Sequence, residues 1–161
     1  MNISPPMSDS LPARSIRQTL STPATEAEGE IQGRTAQAGL VIGLSGELGA
    51  GKTAWVRGFA RGLEYRGRVQ SPSFGLIHQY LGGRLPLYHL DLYRLGSPLE
   101  VLSAGLEHYL EQPDGVTIVE WPERWWPEFS KDAQSRPGWR RVWMRNQGEN
   151  VREIAYELPG T

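Results

Sequence analysis

Apolar residues in this chain fall into short blocks separated by glycine, proline and polar runs. Leu40-Val41-Ile42-Gly43-Leu44 is a nearly continuous apolar run of strand length, the pattern of a strand buried on both faces of a parallel sheet. A glycine-rich stretch follows, and then Val56, Phe59, Ala60 and Leu63 recur at the i, i+3, i+4, i+7 spacing of a helix. Gly75–Leu81 and Leu85–Tyr93 read as two strands joined by Gly82-Gly83, a hairpin signal. In the second strand the two-residue period puts Leu87, His89, Asp91 and Tyr93 on one face, and Leu90 and Leu92 on the other. Ser97-Pro98-Leu99-Glu100 combines an N-cap serine, a first-turn proline and a capping-box glutamate. The helix it opens carries Leu99, Leu102, Leu106 and Leu110 on one stripe. Asp114-Gly115 then turns the chain into Val116-Thr117-Ile118-Val119, a second core strand that ends in Glu120-Trp121.

The ends of the chain are plainer. Residues Met1 to about Arg14 are rich in Ser and Pro without periodicity and are expected to form a disordered tail, leaving 15–161 as one domain. Ser15–Leu20 reads as a short strand. Thr25–Gln37 reads as a helix that starts near Thr22 or Thr25, carries Glu26 and Glu28 in its first turn, and ends at Gly39. After a connection rich in Trp and Pro, Arg140–Asn146 and Arg152–Leu158 are expected to pair as a closing hairpin. There are no internal repeats.

Composition narrows the chemistry. A length of 161 residues suits one core, and 39% apolar with 22% charged residues is ordinary for a globular chain. No apolar run approaches the roughly 20 residues needed to span a bilayer. The N-terminus carries no hydrophobic segment of the signal-peptide kind, so the expectation is a cytoplasmic protein without a membrane role. The absence of cysteine removes disulfides, thiolate–zinc sites and cysteine nucleophiles. His78, His89 and His108 lack the close spacing of a zinc site. A net charge of −1 gives no basic surplus for holding nucleic acid alone, so a partner would supply the grip on any RNA.

Of 17 basic residues only Lys52 and Lys131 are lysines. Lys52 falls within Gly46-Glu47-Leu48-Gly49-Ala50-Gly51-Lys52-Thr53, which fits G-x-x-x-x-G-K-[ST] at each defined position. Such a loop wraps an anion with inward-pointing backbone amides, and glycines let the chain bend that closely. The following helix adds its N-terminal dipole beneath the phosphates. Lys52 would reach the β- and γ-phosphates as a compact point charge, and Thr53 would give its hydroxyl oxygen to Mg²⁺. The expected nucleotide contacts are Glu47, Leu48, Gly49, Ala50, Gly51, Lys52, Thr53 and Ala54. Strand, loop and helix in this order predict an α/β, P-loop NTPase-like three-layer domain with a mainly parallel central sheet and an antiparallel extension.

The loop alone names no substrate. There is no Asn-Lys pair of the guanine-reading N-K-x-D kind. Leu44-Ser45-Gly46-Glu47 only echoes a transporter signature, and no arginine-rich lid of the nucleotide-kinase type is present. What the chain has is a fixed succession: Gly46–Thr53, Ser71-Pro72-Ser73-Phe74, His89-Leu90-Asp91-Leu92-Tyr93-Arg94-Leu95 and Val119-Glu120-Trp121-Pro122-Glu123. This succession, with Thr25 and Gly29 as an N-terminal T-x-x-x-G, closely resembles the TsaE (YjeE) family, the bacterial ATPase of tRNA threonylcarbamoyladenosine biosynthesis. The resemblance covers Thr25 to about Trp126. It implies an ATPase using ATP and Mg²⁺, with Thr25 joining the nucleotide contacts. It also implies TsaB- and TsaD-like partner subunits that transfer threonylcarbamoyl to the adenosine beside the anticodon, with tRNA reached indirectly through them. Two departures stand out: Ser73 replaces the switch threonine, keeping a hydroxyl, and Ala54 replaces a second threonine after the loop.

Each remaining residue has two readings. Asp91 and Glu120 end strands, where a Walker B-type acid reaches the Mg²⁺ shell or the attacking water; residue by residue, each is equally a surface salt-bridge partner. The resemblance implies that both approach the metal, giving Lys52, Asp91 and Glu120 as catalytic candidates and Thr53, Ser73, Asp91 and Glu120 as metal candidates. Ser71–Phe74 alone reads as a Ser-Pro turn, and the resemblance makes it a switch loop sensing the γ-phosphate. Arg94 either neutralises developing charge or faces a partner. His89 reads as a structural hydrogen-bonder, and Trp121 as an anchor that positions Glu120. Trp125, Trp126, Trp139 and Trp143 are core or docking surface. The alternatives to a working ATPase are a nucleotide-dependent assembly switch and a small-molecule kinase.

Overall fold

The computed structural model describes residues 14–70, 77–92, 100, 105–122 and 138–157. The chain runs β1 (Arg14–Thr19), α1 (Thr22–Thr35), β2 (Val41–Ser45), α2 (Lys52–Gly62), β3 (Ile77–Tyr80), β4 (Leu87–Asp91), α3 (Glu107–Glu111), β5 (Val116–Glu120), β6 (Trp139–Asn146) and β7 (Arg152–Glu157). The strands form one sheet in the order β1-β7-β6-β2-β5-β4-β3. Its centre, β6-β2-β5-β4, is parallel. The expected antiparallel extension occurs on both flanks, where β3 pairs with β4 and the β6–β7 hairpin continues into β1.

All five residues of β2 and all five of β5 are buried, as strands covered on both faces must be. On one face Ile42, Leu44, Ile118 and Val142 pack against Trp55, Val56 and Phe59 of α2. On the other, Val41, Tyr88, Leu90 and Val119 pack with Leu106 and Leu110 around α3. Trp139 joins this second cluster and donates its indole N–H to the Leu110 carbonyl at 3.0 Å, so it belongs to the core. Trp143 is half-buried, with the Arg14 and Arg141 guanidiniums 4.1 and 4.4 Å from its ring. Trp125, Trp126, Ser97–Leu99 and Leu102 lie outside the described residues.

Helix α1 starts and stops earlier than its sequence predicts. Ser21 is the N-cap and accepts from the Ala24 amide at 3.1 Å, with Pro23 in the first turn. A serine cap followed by proline fixes the start more firmly than the threonines downstream. Glu26 and Glu28 therefore fall beyond the first turn. The helix ends at Thr35, and Gly39, at φ +95°, belongs to the turn into β2. Strand β1 begins at Arg14, inside the expected tail.

With few apolar side chains, α1 docks through glycines. A Cβ on Gly29 would lie 2.0 Å from the Trp55 carbonyl oxygen, and one on Gly58 would lie 1.8 Å from that of Glu26. The two backbones thus touch directly. Glu26 locks the pair, accepting from Arg57 at 2.8 Å and Arg61 at 3.1 Å. Burial raises the Glu26 pKa, but the two guanidiniums together outweigh it and hold the carboxyl below its ordinary value of 4.5. A depressed folded pKa contributes stability that is fully present above about pH 4.5 and lost as pH falls through the folded value. Glu26→Gln should therefore cost about 1 kcal/mol near neutral pH by urea denaturation, with the gap to wild type closing as the pH falls below that range. A gap independent of pH would reject this account.

Candidate nucleotide-binding site

β2 delivers the chain to the carboxyl edge of the sheet, where open α/β sheets bind their ligands. Gly46 begins the loop packed on β6: a Cβ there would lie 2.7 Å from the Met144 carbonyl oxygen. Glu47, Leu48 and Gly49 are exposed, Leu48 at 95%, while Ala50 is buried. The Ala50 amide donates to the Glu47 carbonyl at 3.0 Å, closing the turn. Gly49 and Gly51 are left-handed, at φ +82° and +95°, and only such a reversal brings the chain into the helix at this angle. Gly51 is the N-cap of α2 and supplies no side-chain acceptor, which leaves first-turn amides of α2 for an anion.

Lys52, the first residue of α2, is buried. Its Nζ donates to the Gly46 carbonyl at 2.6 Å and lies 3.9 Å from the centre of the Trp121 ring. Trp121 has φ +59°, an uncommon conformation for so bulky a residue, while its amide donates to the Leu44 carbonyl at 3.2 Å. This turn places the indole beside the lysine. Thr53 and Ala54 follow on the half-exposed side of the first helical turn.

Glu120 ends β5, in register with Leu44 of β2 on one side and Asp91 of β4 on the other. Both carboxylates therefore stand at one level of the sheet, on the face covered by α2. Glu120 is 3% exposed. Burial raises its pKa, and His89 beside it together with the Lys52 charge more than reverse that, holding it below 4.5. The fully buried His89 brings Nε2 to 3.4 Å from Glu120 Oε2, and neither of its ring nitrogens forms a hydrogen bond of good geometry. Asp91 is half-buried at the end of β4.

Thr25 is 1% exposed; its hydroxyl is 2.7 Å from that of Thr19 and donates to the Ser21 carbonyl. Those contacts tie α1 to β1. Ser73 and Arg94 lie outside the described residues, as do Ser71, Pro72 and Phe74. Two residues that sequence reasoning passes over line the loop. A Cβ on Gly51 would meet the Met144 side chain at 3.3 Å and Arg152 Nε at 3.5 Å. Arg152 is held there by the Asn146 side chain and the Gly148 and Val151 carbonyls. Neither carries a local motif; they reach the loop because β6 pairs with β2.

A buried parallel strand, a loop with two left-handed glycines, an uncapped helix start and an adjacent strand-end acid make this a P-loop protein. The family model described as "Threonylcarbamoyl adenosine biosynthesis protein TsaE" matches residues 19–153, and the chain belongs to that family. It is similar to "tRNA threonylcarbamoyladenosine biosynthesis protein TsaE" of Bacillus subtilis (strain 168), 34% identical over 143 residues, covering 89% of this chain and 85% of that one. The protein of the same name from Nostoc sp. (strain PCC 7120 / SAG 25.82 / UTEX 2576) is 52% identical over 99 residues, 60% of each chain. The chain thus spans about three fifths of the Nostoc relative's length. The solved structure "Crystal structure of Bacillus subtilus YdiB" superposes with a TM-score of 0.69 at 31% identity, covering 93% of this chain and 88% of that one. Among the described residues no helix is long and apolar enough to cross a membrane.

Proposed function

We propose that this protein binds MgATP on Gly46–Thr53 and hydrolyses it in the service of tRNA threonylcarbamoyladenosine synthesis, in the cytoplasm. The observation that carries this reading is a buried Lys52 at the start of α2, bonded back to the Gly46 carbonyl of the loop, with the buried Glu120 ending β5 at the same edge of the sheet. A glycine loop with a buried lysine fits the phosphates, and the depressed pKa of Glu120 keeps it anionic at neutral pH. The donor set of Thr53, Asp91 and Glu120 is all oxygen, as magnesium prefers, and Ser73 joins it on the resemblance.

Loop amides and Lys52 hold the β- and γ-phosphates. Thr53, with Ser73 on the resemblance, would hold magnesium, which would supply charge neutralisation at the phosphate oxygens. Asp91 and Glu120, at one level of the sheet edge, would order the metal shell and the attacking water. Water attacks the γ-phosphorus in line, the bond to the β–γ bridging oxygen breaks, and ADP and phosphate leave. Hydrolysis sustains turnover of TsaB- and TsaD-like subunits, which carry the transfer to tRNA. The relatives' names support the pathway, and the near-neutral net charge of −1 is consistent with a subunit that leaves tRNA binding to partners. Phosphate release from MgATP, measured alone and with those subunits and tRNA, should rise strongly in the complete mixture. Tight MgATP binding without turnover in any mixture would instead favour an assembly switch.

A further inference from the structure

Helix α2 leads away from the phosphate loop with Thr53, Arg57 and Arg61 four residues apart, and therefore on one face. The segment after the helix, Tyr65–Gln70, runs opposite that face. Between them lies a cleft of about 600 Å³ whose walls include Thr53, Arg57, Arg61, Arg66 and Arg68. No acidic residue is among the described residues lining it. Arg57 and Arg61 direct their forks to Glu26 on the outer side, and Arg61 also approaches Glu30 at 3.7 Å. Arg66 and Arg68 are exposed and make no hydrogen bond or ion pair with any described residue. The cleft therefore holds four arginines and no carboxylate among its described lining residues; two of them are paired with acids of α1, and the positive charge of Arg66 and Arg68 is left exposed.

We propose that this cleft docks an acidic segment of a partner protein. Guanidinium forks match carboxylates bidentately, and two of these four arginines already share one. A nucleic-acid backbone is the rival occupant, and the surroundings disfavour it. Glu26 and Glu30 already pair with Arg57 and Arg61, which confines the exposed positive charge to Arg66 and Arg68, and the whole chain carries a net charge of −1, a poor match to a long polyanion. A short acidic segment needs no such track. Thr53 belongs to both the cleft and the phosphate loop, so a segment seated here senses what the loop holds, and the coupling acts equally in both directions. The inference deepens the function proposed above by giving its partner a surface, and rests on that reading only in taking the occupant to be a protein.

The test uses the full chain and a fluorescein-labelled octaglutamate peptide, followed by fluorescence anisotropy. Arg66→Glu with Arg68→Glu should weaken peptide binding by about tenfold or more. Arg140→Glu with Arg145→Glu makes the same change in net charge at two exposed positions of β6 away from the cleft and should stay within about twofold of wild type. Binding of a fluorescent ADP analogue, measured in each variant, reports an intact fold. It also separates failure of the nucleotide reading from failure of this one. The proposal is overturned if the peptide does not bind, if both double variants lose it equally, or if labelled dodecauridylate binds the cleft more tightly than the peptide.

Discussion

Lys52→Ala should lower phosphate release from MgATP by about 10²–10³-fold, the scale on which a preorganised charge at a reacting centre acts. The cause is visible before any nucleotide arrives. The ammonium is buried, tied to the Gly46 carbonyl at 2.6 Å and seated 3.9 Å from the Trp121 ring, so it is aimed at the loop interior at no further ordering cost. Its loss also removes one of the two influences that hold Glu120 below its ordinary pKa, so burial regains weight and that pKa rises. Residual activity of the variant should accordingly fall away at a higher pH than that of wild type as the solution is acidified. Lys52→Arg should not restore the rate, because a planar fork does not fit a cradle built around a point charge. Nucleotide affinity by calorimetry and phosphate release by a coupled assay read the two effects. Unchanged affinity together with an unchanged rate would remove the phosphate-loop assignment.

Gly58→Ala should destabilise the fold by about 3 kcal/mol, and lower Tm by roughly 6–12 °C for a chain of this size. Helix propensity alone predicts the reverse, since alanine is favoured over glycine inside a helix by about 1 kcal/mol. Geometry decides the sign. The new Cβ would stand 1.8 Å from the Glu26 carbonyl oxygen, and a backbone oxygen cannot swing aside as the tip of a side chain can. Gly29→Ala makes the matching intrusion at the Trp55 carbonyl oxygen. Once either substitution has parted α1 from α2, the second should cost less, so the double variant should be less damaged than the sum. A Tm for Gly58→Ala equal to or above wild type would show that the helices are not in backbone contact.

The parts of the fold legible in sequence are those specified locally. β2, the loop and α2 follow one another without interruption, so an apolar run, two glycines and a helical apolar stripe suffice to find them. The β3–β4 and β6–β7 pairings are legible for the same reason, each being a hairpin. Helix α1 is harder, because it is held by absent side chains at Gly29 and Gly58, which leave no apolar stripe to read. Its start was hidden by the competition of Ser21 with Thr22 and Thr25 for the cap. Strand order leaves no local trace at all. That is why Met144 and Arg152, placed under the loop by the β2–β6 ladder, carry no signal in the sequence, and why the approach of His89 to Glu120 emerges only once β4 lies beside β5.

The central position of β2 also has a bearing on how the protein is made. Its ladder partners, Thr117 on one side and Trp139 on the other, both leave the ribosome long after Val41 does. The early half of the chain therefore emerges with an apolar strand that α2 can cover on one face but whose two edges nothing local can pair, and closing such long loops precedes any gain from the contacts they permit. Nascent chains halted before Trp139 should stay protease-sensitive around β2, and the phosphate loop should acquire its floor only when β6 arrives, so that the earliest-written motif of the site is among the last to become competent.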